Sequence, residues 1–216
     1  MKHHAIQTVA ALIGASALSG CLGTTPGLTL GELVYQSFDE VGPLADTATM
    51  PTTGTASYEG GSIVTVGRPD DPDHMLVGRT TLDADFAAGS LTGQISDIQG
   101  KRDASGSDWM TLNHPGIGSP AQYQAVLDTF SDATGDIDIT GGFFVGSDLV
   151  ADIAGTVTSS GDTIRTEGSI TGTFKGPDAE AVRLQGDTAR AFDAMVVTLN
   201  GATASATLDG AVQVTD

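Results

Sequence analysis

GSITGTFKGPDAEA, residues 168–181, is the stretch of sequence that decides the fold. Its first half alternates small and β-branched residues, which is the pattern of a strand, and Gly172 lets such a strand bend sharply. Phe174 is the aromatic residue of the stretch and is expected to point inward. Residues 177–181 are then expected to form one helical turn. The stretch therefore predicts a curved wall strand followed by a turn that closes one end of a barrel.

Alternation with a period of two continues on both sides of this stretch, from Gly54 to Val214. Alternation or β-branched enrichment predicts nine strands. They are residues 54–66, 74–86, 90–98, 137–145, 148–157, 163–174, 183–191, 195–199 and 204–214. The Gly, Asn, Asp and Ser residues between them favour hairpin turns. We expect eight of these nine segments to form one sheet. Because closure removes exposed edges, we predict an all-β fold, an eight-stranded antiparallel up-and-down barrel.

One segment, residues 103–135, interrupts the alternation and contains the only tryptophan of the chain. Ser119 followed by Pro120 is typical of a helix N-terminus. The apolar residues that follow recur at helical spacing. They are Tyr123, Val126, Leu127 and Phe130. The segment therefore predicts a short helical insertion, with a helix over 119–130 that packs against the outside of the barrel.

The N-terminus has the pattern of a bacterial lipoprotein signal. Lys2 precedes a mostly apolar run at residues 5–18, and small residues at positions 19 and 20 precede the sole cysteine, Cys21. We predict that residues 1–20 are a cleaved signal peptide and that Cys21 carries lipid, which anchors the chain to the membrane. An ordinary signal peptide with an incidental cysteine is the alternative. Leu22 stands where inner-membrane lipoproteins commonly have Asp, which favours the outer membrane and the cell surface.

Residues 21–53 predict a lipid-anchored tether and docking segment, because they are rich in Gly, Thr and Pro. Within them, four apolar residues fit one helical stripe, which indicates a short helix or capping segment. They are Leu30, Leu33, Val34 and Phe38. The barrel itself is expected to occupy residues 54–216.

The charge of the chain is strongly negative. Its 27 Asp and Glu residues against 9 Lys and Arg give a formal net charge of -18. A surface of this sign repels nucleic acid and anionic lipid headgroups, so no nucleic-acid partner is expected. The charge has two interpretations: a device that keeps an exported protein from aggregating, or attraction toward a basic partner.

The stretch at residues 168–181 resembles the strand-and-turn signature of the transferrin-binding protein B barrel domains, a superfamily of surface lipoproteins. In that signature a glycine-rich strand ends in an aromatic residue and runs into Gly-Pro-Asx-Ala-Glu. Two further stretches, 54–60 and 82–93, agree with the style of the family. The chain departs from the signature after Glu180, where the family usually has a small glycine pair. Its size is that of a single-barrel member without the paired lobes of the transferrin receptor.

The resemblance implies a surface-exposed lipoprotein that captures a host or environmental partner. Some relatives bind transferrin, and others bind haem or host regulatory proteins. Transferrin is not the expected partner here, because the chain lacks the two-lobed architecture and no residue pattern identifies a transferrin-binding loop.

The sequence favours a protein without enzymatic activity. Beyond the N-terminal signal its only imidazoles are His74 and His114, and neither belongs to a hydrolase motif. We interpret both as hairpin-loop residues. The acidic run at 70–73 lacks the spacing of a calcium loop and is interpreted as a solvated hairpin tip, so no metal site is predicted.

The insertion supplies the candidate partner or ligand contacts, which are Trp109, Met110, His114 and Tyr123. Aromatic residues are enriched at binding hot spots, so the leading hypothesis is a monomeric module that binds a protein partner. A second hypothesis is haem capture, with His114 as an axial ligand, although no cofactor is required. A third is a structural envelope lipoprotein. For all three, a barrel of eight strands is wide enough either to be filled by side chains or to hold one small ligand.

Overall fold

A computed structural model describes residues 27–69, 71–113, 118–189 and 194–215. Within these residues the chain forms ten strands and three helices. The strands are β1 (Thr55–Arg68), β2 (Asp71–Asp85), β3 (Ser90–Arg102), β4 (Ser131–Asp132), β5 (Ile137–Val145), β6 (Asp148–Ser159), β7 (Asp162–Lys175), β8 (Ala181–Asp187), β9 (Met195–Leu199) and β10 (Ala202–Val214). The helices are α1 (Leu30–Val41), α2 (Gly106–Asn113) and α3 (Pro120–Leu127).

The strands close into one antiparallel barrel. β1 pairs with both β2 and β10, so that Tyr58 lies opposite Leu82 on one side and Val214 on the other. β4 and β5 pair in turn with β3, and β8 and β9 both lie between β7 and β10. Two wall positions are thus each built from two short strands, and the ten strands make an eight-stranded barrel. The predicted all-β, up-and-down barrel is confirmed.

Alternation along the strands fills the barrel interior with apolar side chains. Val64 of β1, Leu76 of β2 and Ile95 of β3 are each 2% exposed and belong to one buried cluster that includes residues from every long strand. Residues one position away point outward. Side chains therefore occupy the interior among the described residues, the packed outcome for a barrel of this size.

The helices form a layer on the outside of the barrel. α1 begins with a capping box in which the Thr29 hydroxyl accepts from the Glu32 backbone N–H and the Glu32 carboxylate accepts from the Thr29 backbone N–H. Its buried face, including Val34 and Phe38, packs with outward-facing residues of β1, β2, β8 and β10 in a second apolar cluster. Within the described residues, no helix has the length and apolar character needed to cross a bilayer.

Both helices of the insertion join this outer layer. α3 is the helix expected at residues 119–130, but it is shorter and ends at Leu127. Ser119 is its N-cap residue, without a capping hydrogen bond from the side chain. α2 was not predicted from the sequence. The helices are held together because Leu112 of α2 and Leu127 of α3 are buried in the same cluster as α1.

Candidate functional site

The predicted barrel-closing residues lie at one end of the barrel, which we call the Phe174 end. Gly172 is buried in β7, and Phe174, two residues on, is fully buried. Gly176 has φ +82°, in the left-handed region, and its carbonyl accepts a 2.8 Å hydrogen bond from the Thr47 hydroxyl. Pro177 follows in an exposed turn.

This turn differs from the expected one. The sequence suggested a helical turn, whereas Ala179 has φ +58°, outside the helical region. The Tyr58 hydroxyl reaches up from β1 and donates a 2.8 Å hydrogen bond to the Ala179 carbonyl. Burial raises the pKa of Tyr58 well above its usual range. A tight, side-chain-anchored turn therefore covers the Phe174 end.

An aromatic cluster fills the barrel beneath this turn. The Phe174 ring lies 6.2 Å from the Tyr58 ring, 6.0 Å from Phe86 and 5.1 Å from Phe144, measured between centroids. Tilted and edge-on pairs at these separations are favourable beyond the area that they bury. Phe174 is the common member of the three contacts and organises this end.

A buried polar cluster occupies the opposite end, which we call the His74 end. His74 is not a hairpin-loop residue as expected: it lies in β2 on the inward side with Leu76 and is 1% exposed. Its Nε2 lies 3.4 Å from Oδ2 of Asp162, and Arg102 lies 3.5 Å from the same oxygen. The Nδ1 atom has no hydrogen-bond partner among the described residues. Burial lowers the pKa of His74 more than the nearby Asp162 carboxylate raises it.

This cluster predicts a loss of stability in mild acid. The unfolded chain binds a proton at His74 near its ordinary pKa of about 6.5, whereas the folded chain resists protonation. The free energy of unfolding should therefore fall as the pH drops below about 6.5, by at most about 1.4 kcal/mol per pH unit from this group. Urea titrations at pH 7.5 and pH 5.5 should show a larger loss for the native sequence than for His74→Gln. Equal losses in the two proteins would exclude His74 as the source.

Two large apolar side chains of α2 are exposed. Trp109 is 43% exposed and Met110 is 54% exposed, and they are adjacent on the helix. Large apolar side chains that stay in solvent on an ordered helix are candidates for partner contact.

Polar contacts fix α2 on the barrel. The Asp108 carboxylate accepts hydrogen bonds of 2.8 Å from the Lys101 ammonium on β3 and from the backbone N–H of Ser105. Burial alone would raise the pKa of Asp108, but these hydrogen bonds outweigh it and lower the pKa. The neighbouring Trp109 is thus presented by a helix that is already held in place.

Tyr123 does not share this exposed surface, which corrects the expectation that it contacts a partner. It is fully buried, its ring lies 5.1 Å from the Tyr35 ring in an edge-on arrangement, and its hydroxyl donates to the Leu112 carbonyl at 3.3 Å. Burial raises its pKa to about 12. Tyr123 therefore joins α1, α2 and α3. His114 and Cys21 lie outside the described residues.

A groove runs beside Trp109 on the outside of the barrel. Its other walls are residues of β8 and β10. They are Gln185, Gly186, Asp187, Thr207, Leu208 and Asp209. Asp187 and Asp209 could not be identified from the sequence, because several strands separate them from Trp109 along the chain and only the closure of the sheet brings them to it.

Apolar exposure also occurs elsewhere on the described surface. Phe143 is 55% exposed and Val145 is 76% exposed at the end of β5, near the Phe174 end, and Val196 is 45% exposed. Within the described residues, no group of three or more His, Cys, Asp and Glu side chains is placed to hold a metal ion.

Comparison with known proteins identifies no family. No protein-family model matches the chain, and no curated protein matches it. Solved structures of transferrin binding protein B are similar in fold. A double mutant from Haemophilus parasuis Hp5 aligns with 15% identity and a TM-score of 0.44, over 78% of this chain and 28% of that chain. A single mutant of the same protein aligns with 16% identity and a TM-score of 0.45, over 79% of this chain and 29% of that chain.

The isotype 1 protein from serogroup B Neisseria meningitidis aligns with 12% identity and a TM-score of 0.41, over 77% of this chain and 26% of that chain. The chain thus spans less than a third of the length of these proteins. At this level of identity the similarity concerns the barrel fold alone.

Proposed function

We propose that this protein is a lipid-anchored lipoprotein of the outer membrane that binds a protein partner at the cell surface without enzymatic activity. The N-terminal signal pattern and Cys21 support the anchor. The observation that carries the binding function is that Trp109 and Met110, consecutive in sequence, are both exposed on a helix that Asp108 and Lys101 hold to the barrel. A contact surface that is already ordered loses little conformational entropy when a partner binds.

Because side chains fill the barrel interior, we propose a contact surface on the outside of the barrel. Apolar side chains occupy the space in which a small ligand would sit, and Phe174 and its neighbours pack beneath the turn at one end. Tyr123, one of the residues expected to line a haem pocket, is committed to helix packing. The outer surface around α2 is therefore the contact region that we propose.

Removing the anchor should release the protein. Cys21→Ala is expected to move it from the membrane fraction to the soluble fraction, because a lipid chain supplies the membrane affinity and no other anchor is proposed. Fractionation of cells followed by immunoblotting measures this. The matched control is Trp109→Ser, which leaves the cysteine in place and should stay with the membrane. A Cys21→Ala protein that remains in the membrane fraction would overturn the anchor.

Capture experiments test the binding function. The full chain, immobilised on beads, is exposed to serum and to conditioned medium at low and high ionic strength, and bound proteins are identified by mass spectrometry. The proposal expects a partner whose capture is lost with Trp109→Ser and Met110→Ser together and is retained with Phe143→Ser. Phe143 is a suitable control because it is equally apolar and exposed but lies on β5. If the amount of captured partner is the same with Trp109→Ser and Met110→Ser together as with Phe143→Ser, α2 is excluded as the contact surface.

A further inference from the structure

The two-residue turn that joins β9 to β10 has the sequence Asn200-Gly201. Leu199 and Ala202 pair on either side of it. Asn200 has φ +52° and Gly201 has φ +79°, both in the left-handed region that asparagine and glycine adopt most readily, so the hairpin favours this pair of residues. Both residues are exposed to solvent.

An asparagine followed by glycine can lose its side-chain amide without an enzyme. The backbone nitrogen of Gly201 gives up its proton to solvent and attacks Cγ of Asn200. A bond forms between these two atoms, the bond from Cγ to Nδ2 breaks, and ammonia leaves with a proton taken from water. Water then opens the resulting cyclic imide at either carbonyl, which yields aspartate or isoaspartate. Glycine has no Cβ to obstruct the attack. The net reaction consumes one water molecule and releases one ammonia molecule.

Hydrogen bonds hold the Asn200 amide against the start of β7. Its Nδ2 donates to Oδ1 of Asp162 at 2.7 Å, and its Oδ1 accepts from the backbone N–H of Thr163 at 2.9 Å. The backbone N–H of Asn200 also donates to the Thr163 carbonyl at 2.8 Å. Ring closure must turn Cγ toward the Gly201 nitrogen, and the two side-chain hydrogen bonds oppose that rotation. Because intramolecular attack depends steeply on the position of the reacting atoms, the closed hairpin slows the reaction.

We propose that Asn200 is a modification site, at which spontaneous deamidation is restrained by Asp162 and Thr163 and proceeds when the β9–β10 hairpin opens. β9 has five residues, and local opening of such an element costs less free energy than unfolding of the whole domain. Deamidation replaces Nδ2, the donor to Asp162, with an oxygen. Two acceptors then meet where a hydrogen bond was, so the modified hairpin is held less firmly to β7.

Peptide mapping by mass spectrometry measures the reaction, because the chain has two asparagines and they can be compared directly. The full chain, purified in detergent micelles, is incubated in neutral buffer at growth temperature, with and without urea. In urea we expect deamidation at Asn200 to be faster than at Asn113, which is followed by His114 and its larger side chain. Without urea the rate at Asn200 should be at least about tenfold lower.

Variants assign the restraint to Asp162. Asp162→Ala removes the acceptor and should raise the rate at Asn200 in native buffer by about fivefold or more, since one hydrogen bond is lost. Asp162→Asn keeps an acceptor oxygen and should leave the rate within about twofold. Gly172→Val perturbs the Phe174 end instead, so it controls for a general loss of stability and should also stay within about twofold.

The product is imitated by Asn200→Asp. This variant should unfold at a lower urea concentration than the native sequence, because the carboxylate cannot donate to Asp162. Gln122→Glu makes the same change from amide to carboxylate at an exposed residue of α3 and should leave the midpoint unchanged.

The contrary results are equally specific. Equal rates at Asn200 and Asn113 in urea, equal rates at Asn200 with and without urea, or no greater acceleration by Asp162→Ala than by Gly172→Val would overturn the restrained site. An Asn200→Asp protein as stable as the native sequence would overturn the effect on the hairpin. If Asp162→Ala does not fold, the urea comparison and the Asn200→Asp midpoint still decide the proposal.

Discussion

Phe174→Ala is expected to lower the free energy of unfolding by about 3–5 kcal/mol, the usual loss when a buried aromatic side chain is removed from a core. Phe174 is fully buried and its ring contacts Tyr58, Phe86 and Phe144, so the substitution leaves a cavity bounded by three other rings. Packing at the Phe174 end cannot close this cavity easily, because the Tyr58 hydroxyl is tied to the turn above it. Equilibrium unfolding in urea, followed by circular dichroism, measures the change.

The control is the same substitution at a residue of the same type on the surface. Phe143→Ala removes an identical side chain that is 55% exposed, and should change the free energy of unfolding by less than about 0.5 kcal/mol. Comparable losses from the two variants would mean that the aromatic cluster does not stabilise the barrel end.

The barrel wall could be predicted from the sequence because its determinants are local. Alternation with a period of two places every second residue on the inner face, and turn residues mark where each strand ends. The end of β8 has no such signal: the sequence predicts separate strands at 183–191 and 195–199, but β8 already ends at Asp187. β8 and β9 each pair with both β7 and β10. The position of the break in the wall therefore depends on pairing between residues that are distant in sequence.

For His74, the alternation along the strand was a better guide to burial than the residue type. It shares the parity of Leu76 and Leu82 in the predicted strand 74–86, and both of these lie in the barrel interior. Parity alone would therefore have placed His74 inside. Its partner Asp162 starts β7 and could not be assigned, because the distance between them depends on how the barrel closes.

The candidate site was partly predictable for a related reason. The helical stripe that begins at Tyr123 was expected to pack on the barrel, and a residue on a packed stripe cannot also form an exposed contact. The structure buries Tyr123 and leaves Trp109 and Met110 in solvent. Asp187 and Asp209 join Trp109 only through the paired strands β8 and β10, so no local sequence signal could reveal the groove.

Gly172→Val is expected to lower the free energy of unfolding by about 1–3 kcal/mol, the range for overpacking a well-packed core. A Cβ atom at position 172 would lie 2.7 Å from the Arg183 carbonyl oxygen and 3.0 Å from Cγ of Leu149. The carbonyl belongs to the backbone of β8, paired with β7 at this level, so relief of the clash must move one strand away from the other. The same denaturant titration measures the loss.

Thr173→Val is the matched control for this substitution. It introduces the same β-branched side chain one residue along β7, at a partly exposed position where the volume of the side chain hardly changes. It should change the free energy of unfolding by less than about 0.5 kcal/mol, as for most surface substitutions. If Gly172→Val proves as mild as Thr173→Val, the β7–β8 contact is loose enough to admit side chains. A glycine at position 172 would then not be needed for the bend of the strand.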